Sequence, residues 1–315
     1  MMSIATLTLN PTIDVAYEVD HVFHTRKMRT SAEYYEPGGG GINVARVFVR
    51  LGGSARNYYL SGGATGHALD GLLDLHKLVR SRIPIEGHTR VASAVLERDS
   101  GKEYRFVPAG PTILPGEWQQ CLDQLASAQC DYMVVSGSLP PGVPDDFYGR
   151  VIDLMRGRGI PVILDSSGAG LRGGLDRGGL LLVKPSVGEL RQYSGQDLPD
   201  LAAITRAAMD IVEKGKARYV AVSMGHEGAL LATGDRQLHL PALPVETRSA
   251  VGAGDSFLAA MVFAMSQGWD IAEAFRFGLA GGAAAVMNPG HDLARPDAIR
   301  LLYERMPSME QQHRA

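Results

Sequence analysis

From residue 133 to 233 the chain repeats one pattern: a short apolar run, a polar turn, then an amphipathic stretch. The run 133–135 ends at Ser136-Gly137-Ser138, and the run 162–164 ends at Asp165-Ser166-Ser167. The run 180–183 ends at Lys184-Pro185-Ser186, and the run 219–222 ends at Ser223-Met224-Gly225. Continuous apolar runs alternating with helical stretches predict parallel strands buried on both faces. The fold class expected is α/β, a doubly wound, mostly parallel sheet with helices on both faces. Ligands of such sheets bind beyond the carboxyl ends of the strands, and here each of those ends is small, polar or charged. Any one of them reads as an ordinary turn. Four at one edge predict a shared crevice.

The first third is patterned differently, with short strands at 4–9, 16–19, 31–35, 91–96 and 104–107. The last two flank Asp99-Ser100-Gly101, a three-residue connection of the kind that closes a β-hairpin. These strands interleave with elements of the main sheet, so they predict one domain over residues 1–315 instead of two contiguous ones. Lid strands within about 15–36 and 90–108 would form a small β-sheet lid over the crevice, where it can exclude water from a reactive group. The last segment, 307–315, is polar and is expected to fray.

Charge and composition narrow the class. The 31 basic and 34 acidic residues leave a net charge of −3, which gives no electrostatic footprint for nucleic acid. No basic stretch precedes an apolar one in the first ten residues, and no window reaches the roughly 18 apolar residues of a membrane span. A cytoplasmic protein with no membrane partner is expected. Cys121 and Cys130 lie in a helical-looking segment without CxxC spacing or a nearby His, and read as buried thiols in a reducing compartment. The 38 glycines are about 12% of the chain, against roughly 7% in average usage. They cluster, which points to backbone contacts with a ligand.

Two clusters carry the candidate chemistry. Val251-Gly252-Ala253-Gly254-Asp255-Ser256 runs straight into an apolar helix. Unpaired N–H groups at such a start favour a phosphate or a developing oxyanion, and a carboxylate among them can take a proton from a hydroxyl. It can equally complement the helix dipole. Pro37-Gly38-Gly39-Gly40-Gly41-Ile42-Asn43-Val44-Ala45 is followed by Arg46 and Arg50. Four glycines at a helix entrance would leave room for a substrate against bare backbone, with Asn43 available from the first turn. The run is not GxGxxG, and no GxxxxGK[ST] occurs, so dinucleotide and P-loop sites are disfavoured. Arg90 and Arg105 in the lid read either as surface charges or as a bidentate phosphate clamp. Asp14, after the first strand, either accepts hydroxyl hydrogen bonds or finishes a turn.

Together these stretches resemble the phosphofructokinase B family of ribokinase-like sugar kinases, over nearly the whole chain. Residues 38–45 match the family's amino-terminal glycine signature and 251–256 its GAGD signature, with supporting stretches at 5–11, 135–142 and 165–168. The unbroken run 37–46 is most like the family's 6-phosphofructokinases. The resemblance implies transfer of the γ-phosphoryl of ATP to the C1 hydroxyl of fructose 6-phosphate. Tagatose 6-phosphate or fructose 1-phosphate are the alternative acceptors. A non-catalytic sugar-phosphate sensor would lack the base or the anion hole, and both are present. By this likeness Asp255 is the base and the N–H groups of Gly252, Ala253 and Gly254 form the anion hole. Asp14, Gly39 and Asn43 hold sugar hydroxyls, while Arg90, Arg105 and Ser138 surround the sugar's phosphate, and Lys27 reaches in from the partner of a homodimer. Lys184, Ser186, Glu189, Ser223, Gly225 and Asn288 line the nucleotide side. Glu189 holds Mg²⁺ through water, and carbonyls of Ser249 and Val251 hold a monovalent cation such as K⁺. One departure stands out: the family's Asn-x-x-Glu is Ser186-Val187-Gly188-Glu189 here, so the amide beside the metal's water shell is missing.

Overall fold

The computed structural model of the chain describes residues 2–288, 290 and 292–307; the tail beyond 307, expected to fray, lies outside the described residues. The strands are β1 (Ser3–Thr8), β2 (Thr12–Val19), β3 (Ala32–Gly38), β4 (Ser54–Gly62), β5 (Val79–Ile85), β6 (Arg90–Glu97), β7 (Lys102–Phe106), β8 (Tyr132–Ser136), β9 (Val162–Asp165), β10 (Leu180–Val183), β11 (Ala217–Ser223), β12 (Ala229–Ala232) and β13 (Gln237–Leu240). The helices are α1 (Gly40–Arg50), α2 (Gly63–Leu75), α3 (Pro115–Leu125), α4 (Phe147–Arg156), α5 (Gly168–Arg177), α6 (Val187–Ser194), α7 (Leu201–Glu213), α8 (Ala253–Ser266), α9 (Ile271–Val286) and α10 (Pro296–Arg305).

The large sheet has the order β13-β12-β11-β10-β9-β8-β1-β4-β5. It is parallel from β11 to β5, and the hairpin β12–β13 closes one edge antiparallel. Successive side chains of a strand face opposite sides, and two hydrophobic clusters result. Ile4, Val134, Ile163 and Leu182 enter one, together with α1, α8 and α9. Leu7, Val135, Leu164 and Val183 enter the other, with α3, α4 and α7. Helix α8 is buried continuously over residues 256–262, as expected of a helix apolar all round.

The second sheet has the order β3-β2-β6-β7, with β2 and β6 parallel. Two expectations are corrected here. The β6–β7 turn has four residues, 98–101, because Glu97 pairs with Lys102 and the Gly101 N–H donates to the Glu97 carbonyl. Cys121 is buried on α3, but Cys130 lies beyond that helix and is only half-buried. No helix of the described residues is long and apolar enough to cross a membrane.

Candidate active site

The glycine run docks α1 against the protein's own strand ends, with the backbone of Gly39 and Gly40 left partly exposed. A Cβ on Gly40 would stand 2.1 Å from the Ser136 Oγ at the end of β8, and one on Gly41 would stand 2.7 Å from the Leu7 carbonyl of β1. One on Gly39 would meet the Thr8 methyl at 2.7 Å, and the Gly39 carbonyl accepts the Asn43 N–H at 2.9 Å, closing the first turn. The glycines let α1 sink between two strand ends. Asn43, itself buried, is thereby carried inward.

On the opposite wall Gly252 adopts a left-handed conformation (φ +69°) that only glycine takes without strain, and α8 begins at the next residue. Asp255 falls in the first turn of α8, and the Asn43 Nδ2 donates to its Oδ2 at 2.9 Å. Burial raises the Asp255 pKa and Asp14 adds to the rise, against the Asn43 hydrogen bond and the charge of Lys184. Lys184, 4% exposed, lies against Gly254, with its Nζ 3.3 Å from where a Cβ would stand there. Its ammonium is 3.1 Å from the Asp165 Oδ2 at the end of β9. Burial pulls its pKa down, but Asp165, Asp255 and Glu189 together hold it above the ordinary lysine value. Asp165 is raised by burial and by the nearby Asp255 and Glu189 charges, with Lys184 opposing. Three carboxylates face one ammonium. Asp165 was not among the expected site residues, although its place at a strand end beside the Lys184 strand was the available signal.

On the lid side, burial pushes Asp14 up to about 6 against the pull of Arg90 and Arg105, the Thr12 hydrogen bond and Arg46. Arg90 donates to the Pro108 carbonyl at 2.9 Å and the Asn10 carbonyl at 2.8 Å, which ties β6 to the chain after β1. Two of its five N–H groups are thus engaged and its Nε is buried without a partner, which leaves the second N–H of each terminal nitrogen for an anion. Arg90 and Ser138 line a cleft of about 560 Å³ with Pro108 and Ala109, and the Ser138 Oγ accepts from the Asn10 Nδ2 at 3.4 Å. Arg105 lies on β7, every residue of which is exposed. Lys27 lies in the exposed β2–β3 loop, which begins at Asp20, six residues along the chain from Asp14 and roughly 20 Å at strand spacing. It is not brought to its own chain's strand ends.

At the other side, Ser186, Ser223 and Gly225 line a cleft of about 570 Å³. Ser186 caps α6: its Oγ accepts the Glu189 N–H at 3.3 Å, and the Glu189 Oε2 takes the Ser186 N–H at 2.7 Å and hydroxyl at 2.9 Å. One Glu189 oxygen is therefore engaged locally. Asn288 pins the following loop, donating to the Leu293 carbonyl at 3.1 Å and the Asp292 carbonyl at 3.3 Å. The buried Ser249 accepts the Val251 N–H on its Oγ, and its own N–H goes to the Val286 carbonyl.

The pfkB family carbohydrate kinase model matches residues 7–298, which include both glycine clusters and every strand of the large sheet but most of β1. The chain belongs to the pfkB family of carbohydrate kinases. It is a phosphotransferase of ribokinase-like fold. Among its pfkB relatives, the ATP-dependent 6-phosphofructokinase isozyme 2 of Mycobacterium tuberculosis is 42% identical over 96% of this chain and 89% of its own length. The crystal structure of phosphofructokinase-2 from Escherichia coli in complex with potassium superposes with a TM-score of 0.93 at 37% identity, covering 96% of this chain and 99% of that one. The same enzyme in complex with fructose-6-phosphate gives 0.90 at 36% identity with the same coverage.

Proposed function

We propose that this kinase transfers the γ-phosphoryl of ATP to the C1 hydroxyl of fructose 6-phosphate, giving fructose 1,6-bisphosphate and ADP, a glycolytic step of the cytoplasm. The observation that carries the reading is the 2.9 Å Asn43–Asp255 hydrogen bond, which joins the two glycine clusters at a half-buried carboxylate. Asp255 takes the hydroxyl proton as the oxygen attacks phosphorus, a role helped by burial, which raises its pKa and with it its basicity. The N–H groups of Gly252, Ala253 and Gly254 receive the developing phosphoryl charge, with the Lys184 ammonium beside them. Asp14 and Asn43 orient the sugar with Gly39 at the α1 entrance, and Arg90, Ser138 and Arg105 take its phosphate. Ser186, Glu189, Ser223, Gly225 and Asn288 form the nucleotide side.

The donor set fits Mg²⁺. Asp165, Asp255 and Glu189 outnumber the single ammonium, and among the described residues no three His, Cys, Asp or Glu side chains converge into a cage. That is the setting of an ion held by one or two carboxylates, water and substrate phosphates. Bound there, it neutralises phosphate charge during transfer. Main-chain carbonyls of Ser249 and Val251 are assigned to K⁺, supported by the potassium complex of the related enzyme.

We infer a homodimer through the lid, whose Tyr34, Tyr35, Phe106 and Val107 are 61%, 51%, 62% and 56% exposed. A second copy would cover that face and carry its Lys27 toward this chain's sugar site. ADP release measured with fructose 6-phosphate, tagatose 6-phosphate, fructose 1-phosphate and free fructose tests the substrate. Fructose 6-phosphate is expected to give the highest kcat/KM. A preference for fructose 1-phosphate, or equal turnover of free fructose, refutes the assignment.

A further inference from the structure

Asn43, Arg46 and Arg50 stand three and four residues apart on α1, so at about 3.6 residues per turn they share one stripe roughly 60° wide. Each reaches a different wall of the site. Asn43 donates to Asp255 on α8, and Arg46 binds the end of β3 through Glu36 and the Pro37 carbonyl. Arg50 donates to the Leu293 carbonyl at 3.1 Å, and the Leu293 side chain is what a Cβ on Gly252 would strike.

Arg46 is the costly member of the three. Its side chain is 2% exposed, its Nε is buried without a hydrogen-bond partner, and the Glu36 carboxylate it pairs with also takes the His76 Nε2 at 3.1 Å. The guanidinium is buried while Glu36 is 33% exposed, so water screens part of the attraction that offsets the arginine's desolvation, and stability alone does not account for an arginine here. What the pair sets is position. Glu36 is the register partner of Asp14 across β2–β3, and two residues on, a Cβ on Gly38 would stand 2.1 Å from the Asp14 Oδ2. The strand end that Arg46 holds is therefore the surface on which Asp14 rests.

We propose that Arg46 is a positioning residue for transfer to the sugar: from the helix face that fixes Asp255 through Asn43, it fixes the β3 end that sets Asp14, so that both carboxylates address one sugar. The proposal rests on the reading that Asp14 and Asp255 contact the acceptor. It locates the effect on the sugar side, since the groups Arg46 binds, Glu36 and the Pro37 carbonyl, both belong to the lid strand β3.

The test uses the full-length enzyme and the sugar phosphate that the wild type turns over best. Arg46→Met, Arg46→Lys and Glu36→Gln are compared in kcat, KM for sugar, KM for ATP and ATP hydrolysis without sugar. Arg46→Met is expected to raise the sugar KM about tenfold or more and to lower kcat, a size typical of a lost charged hydrogen bond. KM for ATP and sugar-free hydrolysis should stay within about twofold. Arg46→Lys, which keeps the charge without the fork, and Glu36→Gln should move the sugar KM in the same direction by less. A variant that melts earlier yet keeps its sugar KM, or one that raises both KM values equally, overturns the proposal and leaves a structural ion pair. If Arg46→Met does not fold, an unchanged sugar KM in both other variants overturns it. A wild type that prefers another sugar phosphate refutes the fructose 6-phosphate assignment alone, because the Arg46 comparison is read with that sugar.

Discussion

The carboxyl edge of the large sheet and the four-stranded lid meet at one crevice, yet they hold their polar groups in different ways. At the sheet edge Lys184, Asn43 and Ser136 are buried, and Asp165 and Asp255 are half-buried carboxylates whose pKa values are raised chiefly by desolvation. In the lid all of β7 is exposed, and the sheet is tied down at one end through Arg90 and the Arg46–Glu36 pair. A sheet covered on both faces can keep charges dry and shift their protonation, because the surrounding packing cannot relax to let water in. A sheet covered on one face takes its position from tethers and from whatever covers the other face. On the proposed function the lesson is a division of labour, with chemistry on the doubly covered edge and recognition shared by the tethered lid.

The sharpest break of that comparison is Asp255→Asn. Removing a positioned base costs about 10²–10⁴ in rate, and the fold should survive because asparagine keeps the size and a hydrogen-bonding partner for Asn43. Turnover near the wild-type rate in the purified variant would show that the edge carboxylate is not the base.

Next in size is the pH dependence of Asp14, at the junction of the two regions. Its pKa is raised from 3.8 to about 6 in the folded chain, chiefly by burial. The folded state then holds a proton that the unfolded state has released between those values, so this group's contribution to stability is full below pH 4 and is lost as pH rises through about 6. The loss is on the order of 3 kcal/mol. Chemical denaturation of wild type and Asp14→Asn at pH 4 and pH 7 isolates it. The difference between the two proteins should shift with pH in that direction, and parallel behaviour of the two would place Asp14 in water.

The lid's open face gives the third expectation. Phe106→Ser should weaken self-association by about 1.5–3 kcal/mol if that ring is covered by a second copy, while the melting of the isolated chain changes little. Sedimentation over a concentration series reads the effect. An unaltered dissociation constant would put the interface elsewhere. Smallest is Ser186→Asn, which restores the family's amide without disturbing the α6 cap, since both residues cap well. The Mg²⁺ concentration for half-maximal rate should fall several-fold at most, as one hydrogen bond is worth roughly 0.5–1.5 kcal/mol. Coincident titration curves would mean that the amide is dispensable.

Much of this was legible along the chain. The four runs ending at Ser136, Asp165, Lys184 and Ser223 became parallel neighbours β8 to β11, since an apolar run too short for a helix must be buried on both faces. The lid strands were visible as short runs interleaved with elements of the main sheet, with Asp99-Ser100-Gly101 marking the turn between two of them. The glycine run was visible as a feature, but its packing role was not: bare backbone serves a ligand and a neighbouring strand equally well, and only the positions of Leu7, Thr8 and Ser136 show that α1 sinks onto the strand ends. Arg90 showed the same ambiguity, because a guanidinium near a crevice carries no sign of the carbonyls it already binds.

The sequence by itself marked the strands that became β1 to β3 and β6 to β11, though not β4, β5, β12 or β13, and it showed that a carboxylate stands at the start of an apolar helix. Those properties follow from local sterics and from the period of apolar positions, each contained within a dozen residues. Only the tertiary structure decided that Asn43 would donate to a carboxylate 212 positions away, that Lys184 would face Asp165, and that Arg46 would lock the lid strand. Such pairs depend on how elements cross and how deeply they are buried. The strength of a charge depends on the water it has lost, and no single segment records that.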